Sequence, residues 1–110
     1  MKRPGTDAED QAADHLLGLG YTIVARRVKT RSGEIDIVAL DGDTLVFVEV
    51  KSRARGPVSP EEALTQTKSH RLKAAAEEYC YAAGGPDLLA RFDLIAIDAD
   101  GLRHHQSALG

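Results

Sequence analysis

The chain has 110 residues and a mass of 11.8 kDa, of which 43% are hydrophobic and 28% are charged. This size and composition predict one globular domain over residues 1–110 and exclude both a multidomain protein and a wholly disordered chain. No apolar run approaches the roughly 20 residues that cross a bilayer, and none follows Lys2 and Arg3, so we expect a soluble protein without a secretory signal. The single cysteine, Cys80, excludes an intramolecular disulfide and suits a reducing cytoplasm, which is the location we expect.

The charge of the chain is unevenly distributed. The formal net charge of −3 argues by itself against a nucleic-acid partner. The segment between Arg26 and Arg55, however, carries seven basic and five acidic residues and is therefore +2, which leaves −5 for the rest. If those acids hold a cation, the surrounding surface is more positive than the overall charge suggests. A solvated basic edge strand is the alternative interpretation.

The first half of the chain predicts a helix followed by three strands. Apolar residues at helical spacing predict a helix over Asp7–Leu19 that ends at Gly20. Alternation and β-branched residues predict strands over 21–28, 34–40 and 45–51. The last two strands are joined by a tight hairpin in which Gly42 suits a positive φ.

The second half predicts a helix and one further strand. Ser59-Pro60-Glu61-Glu62 combines a capping serine, a proline at the first position and a glutamate of the capping box, so it predicts a helix start. That helix is expected to end at Gly84-Gly85-Pro86, and a strand over 91–98 follows, parallel to the third strand. The tail beyond Leu102 forms a short strand or stays loose, and we expect no site at His104-His105. The fold class is α/β, with the order αβββαβ.

The hairpin places two carboxylates opposite each other. A two-residue loop at Gly42-Asp43 pairs positions whose numbers sum to 85, so Asp36 meets Glu49. Either one carboxylate takes up a proton at a raised pKa, or a hard divalent cation binds between the two. Lys51, on the same strand face as Glu49, adds a cation that could orient water or stabilise phosphate charge. A surface salt-bridge cluster of these three side chains is the alternative.

Two segments carry a resemblance to a known family. The first is Gly33-Glu34-Ile35-Asp36-Ile37-Val38-Ala39, and the second, with its glutamate thirteen residues after Asp36, is Val46-Phe47-Val48-Glu49-Val50-Lys51-Ser52-Arg53. Together they resemble the YraN-type uncharacterised proteins, relatives of the PD-(D/E)xK nucleases. That restriction-endonuclease-like superfamily includes the archaeal Holliday-junction resolvases. The likeness spans nearly the whole chain, from the Ala8-Glu9 helix to Phe92-Asp93.

The resemblance implies a restriction-endonuclease-like core with a mixed central sheet and a metal-dependent site. It implies that Asp36 and Glu49, with the Val50 backbone carbonyl, bind Mg²⁺ or Mn²⁺, and that Lys51 orients a water molecule. In the resolvases an acidic residue on the first helix completes the site, and the matching position here is Glu9. Its implied role is to hold a second metal ion or the hydration shell of the first.

The expected substrate is nucleic acid, with DNA favoured. Arg31, Arg53 and Lys68 are candidates for contacting its phosphate backbone. Lys68 falls in the apolar stripe between Leu64 and Leu72, so it is expected to reach a phosphate or the acidic site, or to extend to solvent. The predicted function is metal-dependent endonucleolytic cleavage, with branched DNA among the substrates. A catalytically silent nucleic-acid-binding module is the alternative, and the narrow footprint of one chain leaves a homodimer open.

Overall fold

Hydrophobic periodicity organises the chain into helices and strands close to those predicted. The computed structural model describes residues 6–53, 58–84 and 89–108. Its elements are α1 (Thr6–Gly18), β1 (Thr22–Lys29), β2 (Glu34–Asp41), β3 (Thr44–Ser52), a 3-10 helix (Pro60–Ala63), α2 (Gln66–Ala83), β4 (Ala90–Asp98) and β5 (Gly101–His105). Arg55 and the predicted breaks at Gly56-Pro57 and Gly85-Pro86 lie outside the described residues. Neither α-helix in the described ranges is long and apolar enough to span a membrane.

The five strands form one mixed sheet in sequence order. All neighbours are antiparallel except β3 and β4, which run parallel, as predicted for a strand reached by a crossover through a helix. The tail supplies the fifth strand, β5, so the first of its two alternatives is correct. The four predicted strands agree with the observed ones to within one residue at each end. This α/β architecture is consistent with a restriction-endonuclease-like core.

Alternate side chains of the central strands pack against helices on opposite faces of the sheet. Ile37 and Val48 join the core that α1 covers, whereas Val38 and Phe47 join the core that α2 covers. Both faces are therefore buried, which explains why the central strands are continuously apolar. Phe47 is fully buried, and its burial contributes about 2–3 kcal/mol.

The β2–β3 hairpin sets the register of the sheet. Gly42 has a φ of +61°, a left-handed value that a residue with a side chain adopts only at a cost. Leu40 pairs with Leu45 and the ladder continues to Ile37 opposite Val48, which confirms the predicted sum of 85. A shift of one residue would move every apolar side chain to the other face, so the two cores together hold this register.

The prediction that α2 begins at Ser59 is wrong. Pro60–Ala63 forms a separate 3-10 helix, and the Ser59 side chain makes no capping hydrogen bond. The helix begins after Thr65, whose hydroxyl oxygen accepts a backbone N–H of the first turn at 3.2 Å. Glu61 accepts hydrogen bonds from Arg103 of β5 at 2.7 and 3.0 Å. The start signals therefore produce a single turn that is held against the edge of the sheet, and a second cap begins α2.

A buried ion network connects the tail to the rest of the sheet. Asp93 is fully buried, and its carboxylate contacts Arg91 at 2.9 Å and His104 Nε2 at 2.7 Å. Burial alone would raise the pKa of Asp93, but the bonds from His104, Arg91 and the Ser107 N–H lower it. His104 Nδ1 also lies 3.1 Å from His15 Nε2 of α1. His104 is therefore part of the core of the fold, because β5 completes the sheet beside β4.

Candidate functional site

The end of the sheet where β2 begins and β3 ends gathers the predicted site residues. Because these strands are antiparallel, the first residues of β2 lie beside the last residues of β3. The outermost pair of the ladder at this end is Ile37 with Val48. Asp36 and Glu49 each stand one position beyond that pair. They are neighbours in the predicted register, just outside the hydrogen-bonded ladder.

The charge of Asp36 is disfavoured by its surroundings. Burial, followed by repulsion from Glu49, raises the pKa of Asp36 to about 7, and Glu9 adds to the rise. The Val50 N–H donates to Asp36 Oδ2 at 2.8 Å and the charge of Lys51 is nearby, and both oppose the rise without cancelling it. Carboxylates from α1, β2 and β3 thus act on one another here. A group so perturbed by burial and by like charges is typical of functional sites.

Lys51 lies against Glu49 on β3. The Lys51 ammonium is 3.2 Å from Glu49 Oε1, and the two side chains are 23% and 16% exposed. Residues two apart on a strand share a face, which explains the contact. A solvent-accessible ion pair of this kind contributes about 0–1 kcal/mol to stability. The ammonium can therefore exchange its partner for another anion at little cost.

Glu9 of α1 faces the sheet and is held by two arginines. It is only 6% exposed. Its Oε1 accepts a hydrogen bond from Arg26 Nε at 3.0 Å, and its Oε2 accepts one from Arg27 Nε at 3.2 Å. Arg26 also donates to Asp10 Oδ1 at 2.7 Å. Glu9 is therefore a buried carboxylate at the site, and each of its two oxygens already accepts a hydrogen bond from an arginine of β1.

Sequence reasoning missed the role of this arginine pair. The ladder pairs on either side of Arg27 place it across from Asp36, and its φ of +53° is a rare backbone conformation for a residue with a side chain. Such a conformation costs on the order of 1–3 kcal/mol and is characteristic of functional sites. The available signal was the interruption of the strand pattern between Ala25 and Val28 by Arg26 and Arg27.

The three residues predicted to contact phosphates, Arg31, Arg53 and Lys68, lie in two different places. Arg31 lies in the turn Thr30–Gly33 that precedes β2, and Arg53 directly follows β3, so both lie at the end of the sheet that carries the carboxylates. Lys68 is exposed in the first turn of α2. The expectation that it interrupts an apolar helical stripe is wrong, because Leu64 lies outside the helix. None of these three side chains makes an ion pair with the residues that the structure describes.

The donor set at this end of the sheet is small. Within the described ranges, no three His, Cys, Asp or Glu side chains are placed to hold a metal ion together. The contact that Val50 makes with Asp36 uses its backbone N–H, which orients the carboxylate. The side chains available to bind a cation here are those of the neighbouring residues Asp36 and Glu49. A pair of carboxylates completed by water and substrate oxygens is the ordinary donor set for Mg²⁺.

Fold and site together define a class of protein. It is a mixed α/β protein, consistent with a restriction-endonuclease-like core, with acidic residues of three elements and a lysine at one end of its sheet. The sequence profile of the Uncharacterised protein family UPF0102 matches residues 8–97. The chain therefore belongs to that family, which confirms the resemblance to the YraN-type proteins.

Relatives from distant bacteria match most of the chain. A UPF0102 protein of Symbiobacterium thermophilum is 44% identical over 98 residues, covering 88% of this chain and 83% of the relative. One of Chlorobaculum tepidum is 43% identical over 94 residues, covering 84% and 73%. One of Geobacter sulfurreducens is 44% identical over 110 residues, covering 94% and 86%. The family profile, which matches residues 8–97, spans all the predicted site residues.

Proposed function

We propose that this protein binds nucleic acid, with DNA favoured, and hydrolyses phosphodiester bonds with Mg²⁺ or Mn²⁺. The observation that carries the proposal is the convergence of Asp36, Glu49 and Glu9, where burial, followed by repulsion from the other carboxylates, raises the pKa of Asp36 to about 7. Carboxylates crowded in this way are neutralised by a proton or by a hard cation. Lys51 beside Glu49 supplies the positive group that phosphoryl chemistry also requires.

The proposed roles follow from the positions of the side chains. Asp36, oriented by the Val50 N–H, and Glu49 would hold the cation, which when bound supplies a Lewis acid for the phosphate and lowers the pKa of a water molecule. Lys51 would leave Glu49 to orient the attacking water or to offset the charge that develops on the phosphate. Glu9, bonded to β1 by both oxygens, would act on the site through its charge.

The cations around the carboxylates support a polyanionic substrate. Arg31 and Arg53 flank the strand ends that carry Asp36 and Glu49, and neither is paired with a carboxylate among the described residues. Lys68 and Arg71 lie one turn apart on α2, and the Arg71 Cβ lies 3.7 Å from where a Cβ on Gly33 would stand. Cations that make no ion pair within the described part of the chain and lie near an acidic centre suit a phosphate backbone, which they would bind without sequence preference.

A nucleic-acid-binding module without turnover is the second candidate. It is favoured by the bonding of the acidic residues within the chain, since Glu9 is neutralised by Arg26 and Arg27 and Glu49 is paired with Lys51. In such a module the same cations would contact phosphates, but binding would be as strong in a chelator as with a divalent ion.

The test is a panel of end-labelled substrates incubated with Mg²⁺, Mn²⁺ or EDTA. Linear duplex, flapped, four-way branched and single-stranded DNA are compared with RNA. The wild type is run beside the double variant Asp36→Asn with Lys51→Ala, and beside Asp43→Asn, which changes an exposed acid in the hairpin turn at the far end of the sheet. We expect cleavage only with the divalent ions, loss of cleavage with retained binding in the double variant, and wild-type behaviour in the control.

Each result bears on one of the two candidates. Full metal-dependent activity in the double variant would overturn the site. Binding by the wild type without cleavage of any substrate would favour the module. Failure to bind any of the nucleic acids would remove both candidates.

A further inference from the structure

The turn that carries Arg31 has a defined internal structure. The Thr30 N–H donates to the Gly33 carbonyl at 2.8 Å, and Thr30 Oγ1 accepts the Gly33 N–H at 3.1 Å and the Ser32 N–H at 3.2 Å. These bonds close the four residues Thr30–Gly33 into a compact loop with Arg31 exposed. The loop ends where β2 begins, and Asp36 stands about 7 Å along that strand.

Helix α2 holds this turn through an acidic residue. Glu78 Oε2 accepts the Ser32 N–H at 2.9 Å, although the two residues are 46 positions apart. Hydrogen bonding from Ser32 lowers the pKa of Glu78, so the carboxylate is ionised at neutral pH. The carboxylate therefore ties α2 to the turn through the Ser32 N–H.

We infer that Glu78 is a positioning residue for nucleic-acid binding, which acts by holding the turn so that Arg31 faces a phosphate beside the carboxylate site. This inference rests on the proposed function. An acidic residue at a surface that binds a polyanion is unfavourable by charge alone. Its presence is explained if ordering the turn in advance reduces the entropy lost when Arg31 engages the substrate.

The sign of the effect separates positioning from simple electrostatics. Removing a negative charge from a protein that binds nucleic acid should strengthen binding or leave it unchanged. If Glu78 orders the turn, its removal weakens binding although every cation of the protein is kept. Glu77 is the matched control, because it is the adjacent residue of α2, is exposed and makes no hydrogen bond or ion pair with the described residues.

The experiment compares Glu78→Ala with Glu77→Ala in the full chain. Affinity for a labelled DNA duplex or branched DNA, whichever the wild type binds more tightly, is measured in EDTA over a series of salt concentrations. We expect Glu77→Ala to bind as tightly as the wild type or slightly better, and Glu78→Ala to bind about 3- to 10-fold more weakly. The slope of log K against log salt should become shallower in Glu78→Ala by the amount that corresponds to about one phosphate contact. The same change is expected in Arg31→Gln.

Two further measurements make the result decisive. Glu78→Ala should cause no additional loss in the Arg31→Gln background, and hydrogen exchange at the Ser32 amide should accelerate in Glu78→Ala but not in Glu77→Ala. Equal binding by the two alanine variants, or an equal loss with and without Arg31, would overturn the inference while leaving nucleic-acid binding intact. If the wild type binds no nucleic acid, the proposed function itself fails and the inference fails with it.

Discussion

Replacing Asp36 by asparagine should stabilise the metal-free protein at neutral pH. The carboxylate is disfavoured in the folded state by burial and by repulsion from Glu49, which raise its pKa from 3.8 to about 7. Asparagine keeps an oxygen that can accept the Val50 N–H but carries no charge. Since one pKa unit corresponds to 1.36 kcal/mol, the difference of about three units sets an upper limit of about 4 kcal/mol. Asp36 is only partly buried, which reduces the effect, so we expect a gain of about 2–3 kcal/mol.

The sign of this effect depends on pH. When the pKa of a carboxyl group is higher in the folded than in the unfolded state, the folded protein is most stable at a pH where the group is protonated in both states. Its favourable contribution is therefore complete below about pH 4 and is lost as the pH rises through about 7. The stability advantage of Asp36→Asn should accordingly be near zero at about pH 4 and largest at about pH 8.

The assay is urea unfolding in EDTA for the wild type, Asp36→Asn and the control Asp43→Asn. The reasoning is refuted if Asp36→Asn is less stable than the wild type at about pH 8, or if its advantage does not grow with pH. Under the proposed function, Mg²⁺ at about 100 times its dissociation constant should stabilise the wild type by about 2.7 kcal/mol and stabilise Asp36→Asn much less.

Three other perturbations test separate parts of the structure. The double variant Arg26→Gln with Arg27→Gln leaves the Glu9 charge buried without its arginine partners. It should lower the free energy of unfolding in urea by about 2–4 kcal/mol. Adding Glu9→Gln should restore most of that stability. Asp93→Asn should lower the free energy of unfolding by about 3–5 kcal/mol. The pKa of Asp93 is lower in the folded than in the unfolded state. The stability advantage of the wild type should therefore be complete above about pH 4 and disappear as the pH falls through the folded-state pKa. Lys51→Met should change stability by less than about 1 kcal/mol and leave DNA binding close to wild type, while a gel assay of cleavage with Mg²⁺ should show loss of turnover.

The chemical pattern of the hairpin made the sheet and much of the site predictable. Turn chemistry at Gly42 and the alternation of β2 and β3 determine which residues pair, because a one-residue slip would move every apolar side chain to the other face of the sheet. Asp36, Glu49 and Lys51 lie six to eight residues from that turn along the two strands that it joins, so local rules were sufficient to bring them to one end of the sheet. Their roles in binding and catalysis remain predictions.

Contacts between residues distant in sequence were decided by the tertiary structure. The start of α2 was misplaced because a 3-10 turn tied to Arg103 has the same local start signals as a helix. The bonds of Glu9 to β1 and of Glu78 to the Thr30–Gly33 turn join residues 17 or more positions apart. By itself the sequence determined the strands, their order and the acidic hairpin, because turn chemistry and alternation act over a few residues. Which charges meet across elements depends on how helices settle on the sheet, and only the packed structure decided that.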